Sequence, residues 1–282
     1  LRSLIKKGLP EFPVSGTAAC QGMYGANSGV AAEKIFAIPD VTYFKNFDGV
    51  FSAVDKGLCE YGILPIENST AGSVSEVYDL MKKYRFSIVK SVRVRIEHCI
   101  AGVAGATLKD IKKVVSHPQA LSQCAEYLKN LGVKTEGAEN TATAAKQVAE
   151  AGDKTVAAIC SERSAKAYGL DILGRNAEDS DDNYTRFICI TKDLRVYRGA
   201  DKISVMTSLS HTPGSLSRLL SGFYALGLNL TKIESRPMAG FEFMFYFDFE
   251  GDVTEESVLT LIAELEKDSD KFVFLGSYKE TV

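Results

Sequence analysis

The 282-residue chain is 45% hydrophobic and 24% charged, a globular composition with enough length for two cores. Its 33 basic and 36 acidic side chains give a formal charge of -3 with the signs mixed, which leaves no basic stripe for nucleic acid and makes a small organic molecule the expected partner. The 6 cysteines form no CxxC pair, so a thiol-rich metal site is not expected; with no charged-then-apolar leader and apolar runs too short to span a bilayer, the expected compartment is reducing and cytoplasmic, with no membrane partner.

Residues 1–15, basic from Arg2 to Lys7 and interrupted by Pro10 and Pro13, read as a linker or tail. From Gly16 onward, short apolar runs alternate with helical patterns, the signature of an α/β domain. Gln21-Gly22-Met23-Tyr24-Gly25-Ala26-Asn27-Ser28 opens a helix without the GxGxxG spacing of a dinucleotide site, so its backbone amides are available to face a carboxylate. Phe47, Val50, Phe51 and Val54 predict an amphipathic helix that stops at Gly57, and Val74, Val77, Tyr78 and Met81 predict another. Between them, Tyr61 to Ile66 reads as a buried strand whose polar exit is Glu67-Asn68-Ser69-Thr70-Ala71-Gly72-Ser73. These hydroxyls and amides suit either a turn with an N-cap or an anion site, and a helix N-terminus can be both.

Val92, Val94 and Ile96 alternate with charged residues in a strand that carries the chain into a second lobe. There Val114-Val115 predicts a strand, Pro118 to Leu131 a helix, Thr141 to Glu150 a helix, Thr155 to Cys160 a strand and Ser161 a helix cap. Ser116 and Gln123, seven residues apart, are read as sharing a helix face, while His117, just before Pro118, reads as a structural histidine. His98 and His211 lie elsewhere, so no Ser-His-Asp triad is legible. After the acidic run Glu178 to Asp182, Thr185-Arg186-Phe187 sets a hydroxyl, a cation and a ring on consecutive residues entering an apolar strand. Arg186 either holds a carboxylate or pairs with Asp181 or Asp182. The expected division is one domain over 16–195, with lobe 1 at 16–93 and 179–195 and lobe 2 at 94–178, the two meeting at a cleft.

Past residue 200 the pattern becomes strand 202–209, helix 214–226, strand 228–235, strand 240–249, helix 255–267 and strand 271–278, a ferredoxin-like βαββαβ domain over 200–282. Phe241, Phe243, Phe245, Phe247 and Phe249 recur at period two and are expected to be core.

Four ordered motifs, Glu67 to Val74, Ser116 to Leu121 with Gln123, Thr185-Arg186-Phe187, and Glu234-Ser235-Arg236-Pro237, give the chain a resemblance to prephenate dehydratase carrying a C-terminal ACT regulatory domain. The resemblance implies a bilobal α/β catalytic domain similar to periplasmic binding proteins, followed by the ferredoxin-like ACT domain. It also implies a hydro-lyase of L-phenylalanine biosynthesis that converts prephenate to phenylpyruvate with no cofactor or metal, feedback control by L-phenylalanine, and homodimers or homotetramers. On this resemblance Thr185 hydrogen-bonds the departing hydroxyl, Glu67 is the competing acid, and Asn68 and Gln123 assist catalysis. Gln21, Ser69, Thr70, Ser116, Arg186 and Phe187 are expected on the substrate. Gly214, Ser215, Leu216, Glu234, Ser235, Arg236 and Pro237 are expected around the effector. The alternatives are an arogenate dehydratase, a noncatalytic amino-acid sensor, and the dehydratase part of a chorismate mutase/prephenate dehydratase fusion.

Overall fold

A computed structural model describes residues 1–281 apart from 7, 211 and 239–242, so His211, Phe241 and the start of the expected strand 240–249 lie outside the described residues. The chain opens with a short helix, α1 (Arg2–Lys6), and enters an α/β run: β1 (Ser15–Gln21), α2 (Asn27–Ile35), β2 (Ile38–Phe44), α3 (Phe47–Asp55), β3 (Tyr61–Asn68) and β4 (Gly72–Ser73). α4 (Ser75–Tyr84) and β5 (Ser87–Arg95) follow. A second run holds β6 (Cys99–Gly102), β7 (Lys113–Ser116), α5 (Pro118–Gln123), α6 (Ala125–Leu131), β8 (Lys134–Gly137), α7 (Thr141–Ala151), β9 (Val156–Cys160), α8 (Glu162–Ala167) and β10 (Asp171–Gly174). β11 (Tyr184–Thr191) leads to β12 (Lys202–Ser208), α9 (Ser215–Ala225), β13 (Leu230–Pro237), β14 (Phe243–Glu250), α10 (Glu256–Lys267) and β15 (Phe272–Thr281).

Two compact units result, one from residues 15–77 and 93–187, the other from 1–14, 78–92 and 188–282. In the first, β1 pairs in parallel with both β2 and β3, and β4 folds back antiparallel on β3. Its second sheet has the order β10-β6-β9-β7-β8. One apolar cluster joins Ala144, Ala145 and Val148 to Val115 and Ala158; another joins Ala120, Cys124 and Leu128 to Val114 and Ile159. Helices thus cover both faces of this mixed sheet, in which β7 pairs in parallel with β8 and β9 while β6 pairs antiparallel with β9 and β10. Asn46, Asn140 and Ser161 cap α3, α7 and α8 by accepting the Gly49, Thr143 and Ser164 N–H groups, and Gly152 ends α7 in the left-handed region at φ 65°.

The helix expected over 118–131 breaks at Cys124 (φ -117°, ψ 23°). The Asp179 N–H donates to the Gln123 carbonyl at 2.7 Å, and the Asp179 carboxylate accepts from the Glu126 N–H at 3.2 Å. A segment distant in sequence therefore ends one helix and starts the next.

In the second unit the strands run β13-β14-β12-β15-β5, and β15 pairs in parallel with β5 through Lys279↔Lys90 to Thr281↔Val92. This pairing, together with the Tyr246 hydroxyl donating to the Tyr78 carbonyl at 2.9 Å, groups residues 78–92 with the C-terminal segment. The expected βαββαβ order is present, and Val258, Leu261, Ile262 and Leu265 are the buried stripe of α10. Phe247 and Phe249 pack on Phe223 in the core. The aromatic row is not core along its whole length: Phe243 is 40% exposed and, with Phe245, walls a surface cavity. Phe245 is half-buried and still packs against the helix-covered core, so the row leaves the core between Phe245 and Phe243.

Gly276 is the tightest of the described glycines of this unit, at φ 152° with an ideal Cβ only 2.1 Å from the Ile88 carbonyl oxygen. No side chain fits unless β15 moves off β5. Gly276→Ala is expected to cost about 2 to 3 kcal/mol in a urea titration; an unchanged midpoint would contradict this backbone packing.

Candidate functional site

A cavity of about 340 Å³ lies in the first unit. Gln21 contributes from the end of β1, Gly22 from the turn that follows and Asn27 from the start of α2, Pro65 and Asn68 from β3, and Ile96 and His98 from the residues after β5. His117, Gln119 and Gln123 line it around α5, Glu139, Asn140 and Thr141 at the start of α7, and Thr185 and Phe187 on β11. Three helices begin at this cavity; the uncapped first-turn N–H groups of α2 and α7 favour anions, whereas α5 starts with Pro118 and its Gln119 N–H is held by His117. Among the described lining residues there is no lysine or arginine, so a ligand carboxylate has amides, hydroxyls and the imidazoles of His98 and His117 to meet, with Glu139 as the one carboxylate among them.

Asn68 organises the wall. Its Oδ1 accepts from the Thr70 N–H at 3.1 Å, the Ala71 N–H at 2.9 Å and the Thr70 hydroxyl at 2.8 Å. Those two backbone donors leave its Nδ2, whose two hydrogens are shared among three acceptors: Asn183 Oδ1 at 2.8 Å, the Tyr184 carbonyl at 3.1 Å and Thr185 Oγ1 at 3.0 Å. Because Thr185 Oγ1 accepts from Asn68, the hydroxyl proton is free to donate to a ligand. Gln123 Nε2 in turn donates to Thr70 Oγ1 at 2.8 Å, while Gln123 Oε1 lies 3.0 Å from His98 Nε2.

Strand parity separates the expected residues. Thr185 and Phe187 line the cavity, whereas Arg186 between them is buried on the other side with its Nε 2.8 Å from Glu67 Oε1. Glu67 and Arg186 are therefore not on the cavity wall, and neither reading of Arg186 holds; Asp181 instead lies 3.5 Å from Arg95. Ser116 ends β7, not a helix face shared with Gln123, and its hydroxyl donates to the Ile159 carbonyl at 2.7 Å. The Ser69 hydroxyl donates to the Asp182 carbonyl and accepts from the Tyr184 N–H at 2.6 and 2.9 Å, bracing β3's exit against the entry to β11. Thr70 lies behind Asn68, and Gln21 lines the cavity.

His117 caps α5, its Nδ1 accepting from the Gln119 N–H at 3.2 Å, and burial pushes its imidazole below the ordinary 6.5. A depressed imidazole holds its proton more weakly in the fold than in the unfolded chain. Stability is thus intact above about 6.5 and declines as pH falls from there through the folded value. The denaturation midpoint should drop between about pH 8 and about pH 5.5, and His117→Asn, which keeps an N-cap acceptor, should flatten that part of the profile. An identical pH slope in the variant would contradict the assignment.

In the second unit, Ser215 and Leu216 at the start of α9 line a cavity of about 370 Å³ with Leu209, Ser210, Thr212, Pro213, Phe243 and Phe245. Gly214 precedes them as the N-cap at φ 85°. Glu234, Ser235, Arg236 and Pro237 lie along β13 and are not in that lining; Arg236 pairs with Asp79 at 3.0 Å.

A donor-rich cavity between α/β lobes, ringed by helix N-termini, defines a binding site for a small anionic molecule. The chain belongs to the prephenate dehydratase family of hydro-lyases: the family profile described as Prephenate dehydratase matches residues 18–195. Arogenate dehydratase/prephenate dehydratase 2, chloroplastic, of Arabidopsis thaliana is 37% identical over 274 residues, covering 92% of this chain and 72% of that protein. A prephenate dehydratase from Arthrobacter aurescens, solved in complex with L-Phe, superposes with a TM-score of 0.85 at 29% identity, over 93% of this chain and 89% of that one. GqqA, described as a novel type of quorum quenching acylase, superposes with a TM-score of 0.86 at 30% identity, over 94% and 98%.

Proposed function

We propose that this chain catalyses the decarboxylating dehydration of prephenate to phenylpyruvate. The observation that carries the reading is the Thr185 hydroxyl on the wall of a site with no lysine or arginine among its described lining residues, its oxygen engaged by Asn68 and its proton free. The electron pair of the ring-carboxylate bond moves into the ring as carbon dioxide departs, the C4–O bond breaks, and the hydroxyl leaves as water once protonated. Aromatisation supplies the driving force, so the residues need only orient and donate. Thr185 donates a hydrogen bond to the leaving oxygen; an alkyl hydroxyl is a weak acid, so the proton itself arrives from solvent through that contact. The N-termini of α2 and α7 and the Gln123 amide hold the carboxylates. No metal or redox cofactor enters this sequence of bonds. Glu67 and Arg186 pair with each other behind β11 and hold the strand that carries Thr185.

A second reading, arogenate dehydratase, is supported by the paired name of the Arabidopsis relative. The two substrates differ only in a keto oxygen versus an amino group, and kcat/KM for each, measured on one preparation, separates them. We assign the C-terminal βαββαβ domain as an ACT domain that takes L-phenylalanine beside Ser215 and Leu216 in a homodimer or homotetramer, on the strength of the cavity there and of the Arthrobacter complex. Added phenylalanine should suppress turnover of the preferred substrate; an unchanged rate, with no phenylalanine bound by calorimetry, would remove the regulatory assignment.

A further inference from the structure

His98 is 4% exposed, lines the cavity, and follows β5 at a position that sequence reasoning passed over. Its backbone is fixed on both sides: the His98 N–H donates to Glu178 Oε2 at 2.8 Å, and its carbonyl accepts from the Ala177 N–H at 2.9 Å. The ring sits with Nε2 3.0 Å from Gln123 Oε1, while Nδ1 is buried without a hydrogen-bond partner among the described residues.

The polarity of this contact follows from the backbone. Asn68 Oδ1 faces the Thr70 and Ala71 N–H groups, so it is fixed as the oxygen. Thr70 Oγ1, 2.8 Å from that oxygen, must donate to it, and so accepts from the group 2.8 Å away on Gln123. That group is therefore the Gln123 nitrogen. Its oxygen faces His98, and a carboxamide oxygen only accepts, so His98 Nε2 must carry a hydrogen. A reversed Gln123 would leave two acceptors in contact at one of these steps.

We propose that His98 is a positioning residue for the dehydratase reaction: as its Nε2–H tautomer it locks the Gln123 carboxamide, so that one amide hydrogen is committed to Thr70 and the other is presented to the ligand. The proposal rests on the functional reading above. Without His98, Gln123 Oε1 loses its donor and the carboxamide is held only through Thr70, loosening a ligand contact and the Thr70-Asn68-Thr185 chain together. The test combines kinetics with imidazole NMR. His98→Leu, which fills the space without a donor, should lower kcat by roughly tenfold to a hundredfold with little change in KM, as small misplacements in active sites do. His98→Gln, whose amide nitrogen reaches the place of Nε2, should recover most of that loss. In a Gln123→Ala background, His98→Leu should cost almost nothing further, because the residue acts through Gln123. Wild-type kcat in His98→Leu, or full additivity with Gln123→Ala, would overturn the proposal. Independently, nitrogen-15 NMR of the neutral ring should show Nε2 protonated and Nδ1 bare; the reverse tautomer would overturn it whether or not the protein turns over prephenate. Absence of turnover by the wild-type protein beside the expected tautomer would instead count against the functional reading.

Discussion

Replacing Thr185 by alanine is expected to lower kcat by about 10² to 10⁴, the range for loss of a positioned proton-donating group, while leaving the fold almost as stable as before. The asymmetry follows from the contacts. Thr185 is partly exposed and accepts one hydrogen bond, from Asn68 Nδ2, which has Asn183 Oδ1 and the Tyr184 carbonyl as further acceptors. Loss of that bond should cost no more than about 1 kcal/mol. What disappears is the hydroxyl proton aimed at the ligand. Thr185→Ser keeps it and should retain activity within about tenfold, since the serine lacks only the methyl that limits its rotamers. Steady-state kinetics on the two variants, beside their thermal midpoints, check this; wild-type turnover by Thr185→Ala would remove the residue from the mechanism.

Asn68→Asp is nearly isosteric and should be almost as damaging to kcat, by about 10² to 10³, the cost of one oriented donor. A carboxylate can still accept from the Thr70 and Ala71 N–H groups, so the turn after β3 survives. On its other side three acceptors now face an anion. Asn183, whose Nδ2 is buried without a partner, can exchange its amide ends and donate. The Tyr184 carbonyl cannot, but it keeps the Ser69 N–H at 2.8 Å, so losing the Asn68 contact should cost about 1 kcal/mol. Thr185 resolves its own conflict by turning its hydroxyl toward the new carboxylate, which withdraws from the cavity the proton the reaction needs. The variant should therefore behave kinetically like Thr185→Ala, and the double variant should be little worse than either single one. Independent, multiplying losses would mean that Asn68 does not act through Thr185.

The parts of this arrangement carried by local pattern were legible in the sequence. The polar exit of β3, the capped helices and the C-terminal βαββαβ order follow from periodicity and cap residues, and the hydroxyl of Thr185 stood out beside its neighbours. Arg186 shows a signal passed over: on one strand, consecutive residues take opposite faces, so Thr185 and Arg186 could not both line the cavity. The same parity separates Glu67 from Asn68. Ser116 was misplaced because seven-residue spacing implies a shared face only inside one helix, and β7 ends at Ser116. The break at Cys124 depends on Asp179, some fifty positions away, and no local pattern holds it. His98 was hidden for a similar reason, since its meaning comes from Gln123 across the cavity. Asn140 was readable as a cap in its own right, the residue before a predicted helix, yet its place on the cavity wall came only with the fold. Cysteine usage speaks to redox state and not to a named compartment, and the Arabidopsis relative is called chloroplastic.

The most direct test of the central claim is to incubate the purified protein with prephenate and measure carbon dioxide and phenylpyruvate together. Release of the two in equal amounts, slowed by about 10² or more in Thr185→Ala while the variant remains folded, is the predicted result. Folded wild-type protein that releases neither product, and that yields no phenylalanine from arogenate, would contradict the account and leave the cavity as a binding site without this chemistry.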